Sequence, residues 1–100
     1  MPLLHTALQE GFSGEEVVVR VGGREVLHQS GVKTRTQIGL AATHEVQVPP
    51  GPVSIQISLP GRTLDLTVPL QVTKDTYLGV SVSPEGKIRH TVTHEPFGYV

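Results

Sequence analysis

The chain has 100 residues, eight basic and nine acidic side chains for a net charge of −1, and no cysteine. One domain of this length has room for one core, disulfides and thiolate metal sites are excluded, and so weak and dispersed a charge gives no field to gather nucleic acid or anionic lipid. The apolar share of 37% with only 4% aromatics is carried by valine, isoleucine and leucine, which suits a β core and argues against disorder.

At the amino terminus, Met1 to His5 shows neither a basic stretch nor an apolar run of signal-peptide length, so the default expectation is a cytoplasmic address. Leu3–Leu8 fits two periods: Leu4 and Leu8 share a helical face, while Leu4, Thr6 and Leu8 share a strand face. A first strand is favoured because the rest of the chain reads as β. Next, Glu16–Val21 and Arg24–His28 flank Gly22-Gly23, a two-residue loop suited to a primed hairpin turn. Pairing Val21 with Arg24 sets Arg20 opposite Glu25, Val19 opposite Val26, Val18 opposite Leu27 and Val17 opposite His28.

Thr34–Leu40 is expected as a strand, and Thr43–Val48 alternates until Pro49-Pro50-Gly51-Pro52 stops it. Val53–Leu59 alternates apolar and polar at every step and is the clearest strand in the chain. Pro60-Gly61 reads as the turn of a hairpin whose second arm is Leu64, Leu66, Val68 and Leu70, with glycine expected at positive φ. Thr76–Val82 and Lys87–His94 flank Ser83-Pro84-Glu85-Gly86 and make a third hairpin. Gly39 and Gly79 fall inside predicted strands, where glycine marks a bulge, a close approach or an edge open to strand addition. No apolar run reaches the roughly 20 residues that span a bilayer, so no membrane partner is expected.

Seven to nine short strands punctuated by turns predict an all-β fold over residues 1–100: a single antiparallel β-sandwich with meander or Greek-key connections. The Val-rich strand at Val17, Gly22-Gly23, the Gly31-Val32-Lys33-Thr34 passage and Val46-Gln47-Val48-Pro49-Pro50-Gly51 leading into Val53-Ser54-Ile55 follow one another in a telling order. From Val17 to Val82 that order resembles small transthyretin-like modules, especially the carboxypeptidase regulatory-like and PEGA-like groups, although their aromatic after the proline-glycine turn is absent. The resemblance implies an accessory role in folding, docking or adhesion without chemistry.

The residues themselves point the same way. His90 and His94 would chelate together on a helix, but on a strand their backbones lie roughly 13 Å apart. A metal would need His28 or His44, with Glu45 or Glu95, to converge on them. Ser13 in Gly11-Phe12-Ser13-Gly14 has neither a nucleophile elbow nor the lysine and helix of a phosphate loop, and reads as a turn residue. Glu10, Glu15, Glu16 and Asp65 are the acids that a glycoside-hydrolysing pair would need to bring together. Arg20, Arg24, Arg35 and Arg62 lie on different segments and read as solvated charges rather than one patch.

The terminal Glu95-Pro96-Phe97-Gly98-Tyr99-Val100 holds two of the four aromatics. It serves either as a cover packed across the sandwich, with Phe12 as a candidate neighbour, or as an exposed docking motif. These observations lead to the expectation of a non-enzymatic interaction module with no cofactor and no nucleic-acid partner. Its contacts would run to an unknown protein, or to another copy of itself, through a sheet edge, with Tyr77, Phe97 and Tyr99 as candidate interaction residues. Two alternatives stay open: a small-ligand or carbohydrate-binding domain that stacks on those aromatics, and a metal protein built on His28, His44, His90 and His94.

Overall fold

A computed structural model describes residues 2–34 and 39–95 of the chain. Among these residues eight strands form two packed four-stranded sheets, an all-β sandwich as expected. The strands are β1 (Leu3–Leu8), β2 (Ser13–Val21), β3 (Arg24–Lys33), β4 (Ala42–Gln47), β5 (Gly51–Leu59), β6 (Leu64–Val72), β7 (Thr76–Val82) and β8 (Ile88–Thr93). One sheet has the order β4-β1-β7-β8 and the other β3-β2-β5-β6. The chain crosses between sheets after β1, β3, β4 and β6, which rules out a simple meander.

The alternation of apolar side chains decides which face each strand buries. Leu4 and Leu8 of β1 and Leu78, Val80 and Val82 of β7 line one wall, and Val17, Val19, Ile55, Ile57, Leu59 and Val72 line the other. Phe12 and Val48, from the connections, complete the same buried cluster. Each fully buried Ile or Leu in it contributes about 1.5–3 kcal/mol before chain entropy is counted.

One ladder departs from the antiparallel expectation. β1 runs parallel to β7, Leu4 beside Thr76 through to Leu8 beside Val80, and the seam continues through Gln9 N–H to the Val80 carbonyl and Val82 N–H to the Glu10 carbonyl. The remaining ladders among the described residues are antiparallel.

The Gly22-Gly23 turn forms as expected, both residues at positive φ, with Val21 opposite Arg24 and Arg20 opposite Glu25. Beyond that the expected register is wrong by one: Val19 faces Leu27, Val18 faces His28 and Val17 faces Gln29. The cause is a bulge at Val26, which lets the consecutive apolar residues Val26 and Leu27 both pack against the core. β3 also continues past His28 to Lys33, with further irregularities between its pairs to Ser13 and Glu15 and to Glu15 and Val17.

The Pro60-Gly61 turn needs a different correction. Pro60–Arg62 forms a short 3-10 turn, and the left-handed residue is Thr63, at φ 55°, rather than Gly61. Three residues are spent in the turn, so the backbone reversal falls on the residue entering β6. The expected strand over residues 34–40 falls mostly outside the described residues; Thr34 is irregular and Gly39 lies in a turn. Gly79 lies in β7, flanked by β1 and β8, so it marks no open edge. A Cβ there would fall 2.8 Å from the Gln9 side-chain oxygen, so it is a close approach.

Two features secure the β1–β2 connection. The Thr34 hydroxyl accepts from the Phe12 N–H at 3.0 Å and donates to the Gln9 carbonyl at 2.6 Å, while the Thr34 N–H donates to the Phe12 carbonyl. Gly11, at φ 88°, lies so close to β7 that a Cβ would stand 1.8 Å from the Val82 carbonyl oxygen.

Gly11→Ala is therefore expected to destabilise the fold by at least about 2 kcal/mol more than Gly14→Ala, which shares a positive φ but meets open space; equal losses in urea unfolding would contradict the close approach. Thr63→Gly, which relieves a β-branched residue in the left-handed region, is expected to stabilise by up to about 1 kcal/mol in the same measurement.

Candidate functional site

The candidate interaction aromatics do not assemble into a described platform. Phe97 and Tyr99 lie outside the described residues. Tyr77 sits on the outer face of the β4-β1-β7-β8 sheet, its ring stacked on His5 with centroids 4.2 Å apart and planes 10° from parallel. That stack occupies one face of the Tyr77 ring. Phe12, the candidate neighbour for the terminal segment, is buried at 3% exposure, and the segment itself from residue 96 lies outside the described residues.

His5 is the site residue that sequence reasoning missed. It belongs to a rung that crosses the whole sheet, Glu45 on β4, His5 on β1, Tyr77 on β7 and Thr93 on β8. Its Nδ1 lies 3.1 Å from the Glu45 carboxylate, and its Nε2 is buried without a hydrogen-bond partner among the described residues. A carboxylate only accepts, so Nδ1 carries the shared proton. The available sequence signal was polar: His5 falls on the outward positions of the β1 alternation. Its meeting with Tyr77 depends on the parallel seam between strands more than 70 positions apart.

The histidines proposed for a metal do not converge. His44 is on β4 and His90 on β8, opposite edges of one sheet and so about 14 Å apart by strand spacing. His28 is on β3 of the other sheet. His94 follows β8, with Nδ1 3.4 Å from the Asp75 carbonyl. Among the described residues no group of three or more His, Asp or Glu side chains could hold a metal ion.

Three of the four candidate acids, Glu15, Glu16 and Asp65, are engaged with separate partners. Glu16 pairs with His28, which also lies 3.7 Å from Glu25. Asp65 accepts from the Gln56 amide at 3.1 Å and the Ser58 hydroxyl at 3.2 Å. Glu15 accepts the Ser13 backbone N–H at 2.6 Å and lies 3.7 Å from the Arg62 guanidinium. That N–H contact fixes the start of β2. Arg20, paired with Glu25, and Arg24, paired with Val21, both lie beside the Gly22-Gly23 turn but on alternate faces. Arg62 lies at the far end of β2 beside Glu15, and Arg35 lies outside the described residues, so the three described arginines form no common patch. A depression of about 460 Å³ on β5 and β6 is lined by Pro52, Val53, Ser54, Pro69, Leu70 and Gln71, none of them titratable.

The edges of the sheets remain, and they differ. β6 carries Pro69, which has no N–H to offer. β3 is broken by bulges, whereas β4 holds neither proline nor bulge over Ala42–Gln47 and keeps a continuous register with β1 before Pro49-Pro50 follows it. β8 has neither proline nor bulge, and its register with β7 is continuous from Ile88 to Thr93. Ser83 N–H donates to the Lys87 carbonyl across the Pro84–Gly86 loop. Alternating from that bond, residues 89, 91 and 93 turn their backbone groups to β7, whereas 88, 90 and 92 turn theirs to the free edge. Val92, at 39%, is the exposed large hydrophobic side chain among the described residues.

On the other sheet, the hydrogen bond that the His28 ring donates to the Glu16 carboxylate raises the His28 pKa above its ordinary value of 6.5, with the Glu16 and Glu25 charges adding to it. A raised folded-state pKa contributes stability that is fully present below pH 6.5 and is lost as pH rises through the higher folded value. NMR titration is expected to give His28 a midpoint above 6.5 that falls in Glu16→Gln; an unchanged midpoint in that variant would contradict the pairing.

Comparison of the chain with protein-family models, curated proteins and solved structures returned no match.

Proposed function

We propose that the chain is a non-enzymatic interaction module that engages another polypeptide by adding a strand to β8. The observation that supports this reading is the uninterrupted edge, with the backbone groups of Ile88, His90 and Val92 unpaired among the described residues and Val92 the exposed large hydrophobic side chain among them. β6 and β3 carry a proline or bulges, and β4, equally regular, presents no such side chain. An exposed row of N–H and C=O groups is a template for pairing, and folded proteins ordinarily blunt it. The scattering of titratable side chains among separate partners supports the non-enzymatic part of the reading, since acid–base or nucleophilic catalysis needs such groups within hydrogen-bond reach of one another. An accessory role of this kind is also what the transthyretin-like resemblance implies.

The test is a comparison of two baits. The whole chain and its His90→Pro variant, which loses one outward N–H while keeping the bonds of residues 89 and 91 to β7, are used for affinity capture from native lysate. Proteins retained by the first and absent from the second are expected; identical retention by both would move the contact surface away from β8.

A further inference from the structure

The side chains of β8 specify the chemistry of an added strand. Arg89 pairs with Ser81, Thr91 with Gly79 and Thr93 with Tyr77, so these three lie on the outer face of the sheet. By the same alternation Lys87, just before the strand, joins Arg89 there, two residues away and on one side of the free edge. Both are exposed, and neither makes an ion pair among the described residues. The nearest acids in sequence, Glu85 and Glu95, lie outside the strand.

The other face carries Ile88 and Val92 with His90 between them. Ile88 and Val92 pair with the buried Val82 and Leu78, so their side chains point to the core side of the sheet. Ile88 packs against the core cluster, whereas His90 and Val92 are exposed. A strand laid beside β8 would therefore meet cations on its outer side and Ile88 and Val92 on its inner side.

We infer that the β8 edge takes an extended segment of alternating acidic and apolar residues, the acids beside Lys87 and Arg89 and the apolar side chains beside Ile88 and Val92. The inference rests on the strand-addition reading above and narrows it to a partner chemistry. Backbone pairing supplies the affinity, and charge supplies the choice among sequences, because like charges directly opposite one another across a ladder are unfavourable. Antiparallel pairing of two copies of β8 leaves Arg89 without an acid, so a second copy fits the edge less well than an acidic strand.

The probes are two capped seven-residue peptides, one alternating valine with glutamate and one alternating valine with lysine, added to the whole chain. Binding is read by amide shifts in two-dimensional NMR. The glutamate peptide is expected to bind and to shift Ile88, His90 and Val92, weaken about fivefold or more in Arg89→Glu, weaken as salt is raised, and lose binding in His90→Pro. The lysine peptide is expected not to bind. Arg89→Glu alters no backbone group, so it reports even if the proline variant fails to fold, which far-UV circular dichroism shows directly. Equal binding of both peptides, or an undiminished affinity in Arg89→Glu, overturns the acidic chemistry while leaving the edge reading in place. Failure of both peptides, with concentration-dependent dimers that His90→Pro abolishes, overturns it in favour of a second copy. Glutamate-peptide binding that a folded His90→Pro retains overturns the edge reading itself, as does the absence of peptide binding and dimer alike.

Discussion

The parallel seam between β1 and β7 is the contact on which the rest of the sandwich depends. It joins Leu4–Leu8 to Thr76–Val80 and inserts the first strand between β4 and the last hairpin. Without it β4 and the β7–β8 hairpin would have no common sheet, and the wall formed by Leu4, Leu8, Leu78 and Val80 would not close over Ile55, Ile57 and Leu59. The seam also decides which strands have a free side. With β7 committed to β1, its other flank goes to β8, and β8 is left as the boundary of the sheet.

The local devices at the β1–β2 connection serve that seam. Parallel neighbours are not joined by a tight turn, so the chain must leave β1, cross to the second sheet and still hold Gln9 and Glu10 in line with Val80 and Val82. Gly11 allows the backbone to pass against Val82, and the Thr34 hydroxyl ties Gln9 to Phe12. Leu3 is held at the opposite end, where its N–H donates to the Asp75 carboxylate at 2.9 Å. Both ends of the strand are thereby fixed by residues far along the chain.

Much of this architecture was legible because burial has a period. Val53–Leu59 and Leu64–Leu70 read as paired strands from alternation alone, and Gly22-Gly23 identified its hairpin because a primed turn needs positive φ twice. The bulge at Val26 was less visible: two adjacent apolar residues break the alternation, and only the opposing strand shows that both face inward. Thr63 in the left-handed region was hidden for a similar reason, since Pro60-Gly61 offered a more usual turn that the 3-10 geometry displaced. Strand order lay beyond the pattern altogether. Period two says which face a strand buries and nothing about its neighbours, so the stacking of His5 on Tyr77 and the identity of the open edge emerged only with the sheet. The same limit applied to His90 and His94, whose separation along a strand was foreseeable although their distance from His28 and His44 was not. Among the described residues no helix is long and apolar enough to cross a membrane, which agrees with the lack of a long apolar run.

Amide hydrogen exchange on the isolated chain tests the seam and the edge together. Along β7 every amide has a partner strand, Leu78, Val80 and Val82 toward β1 and Tyr77, Gly79 and Ser81 toward β8, so continuous protection is predicted through that strand. Along β8 protection is predicted to alternate, slow at Arg89, Thr91 and Thr93 and fast at Ile88, His90 and Val92. Fast exchange at Leu78 and Val80 would contradict the parallel seam, and uniform protection along β8 would show that its edge is already covered.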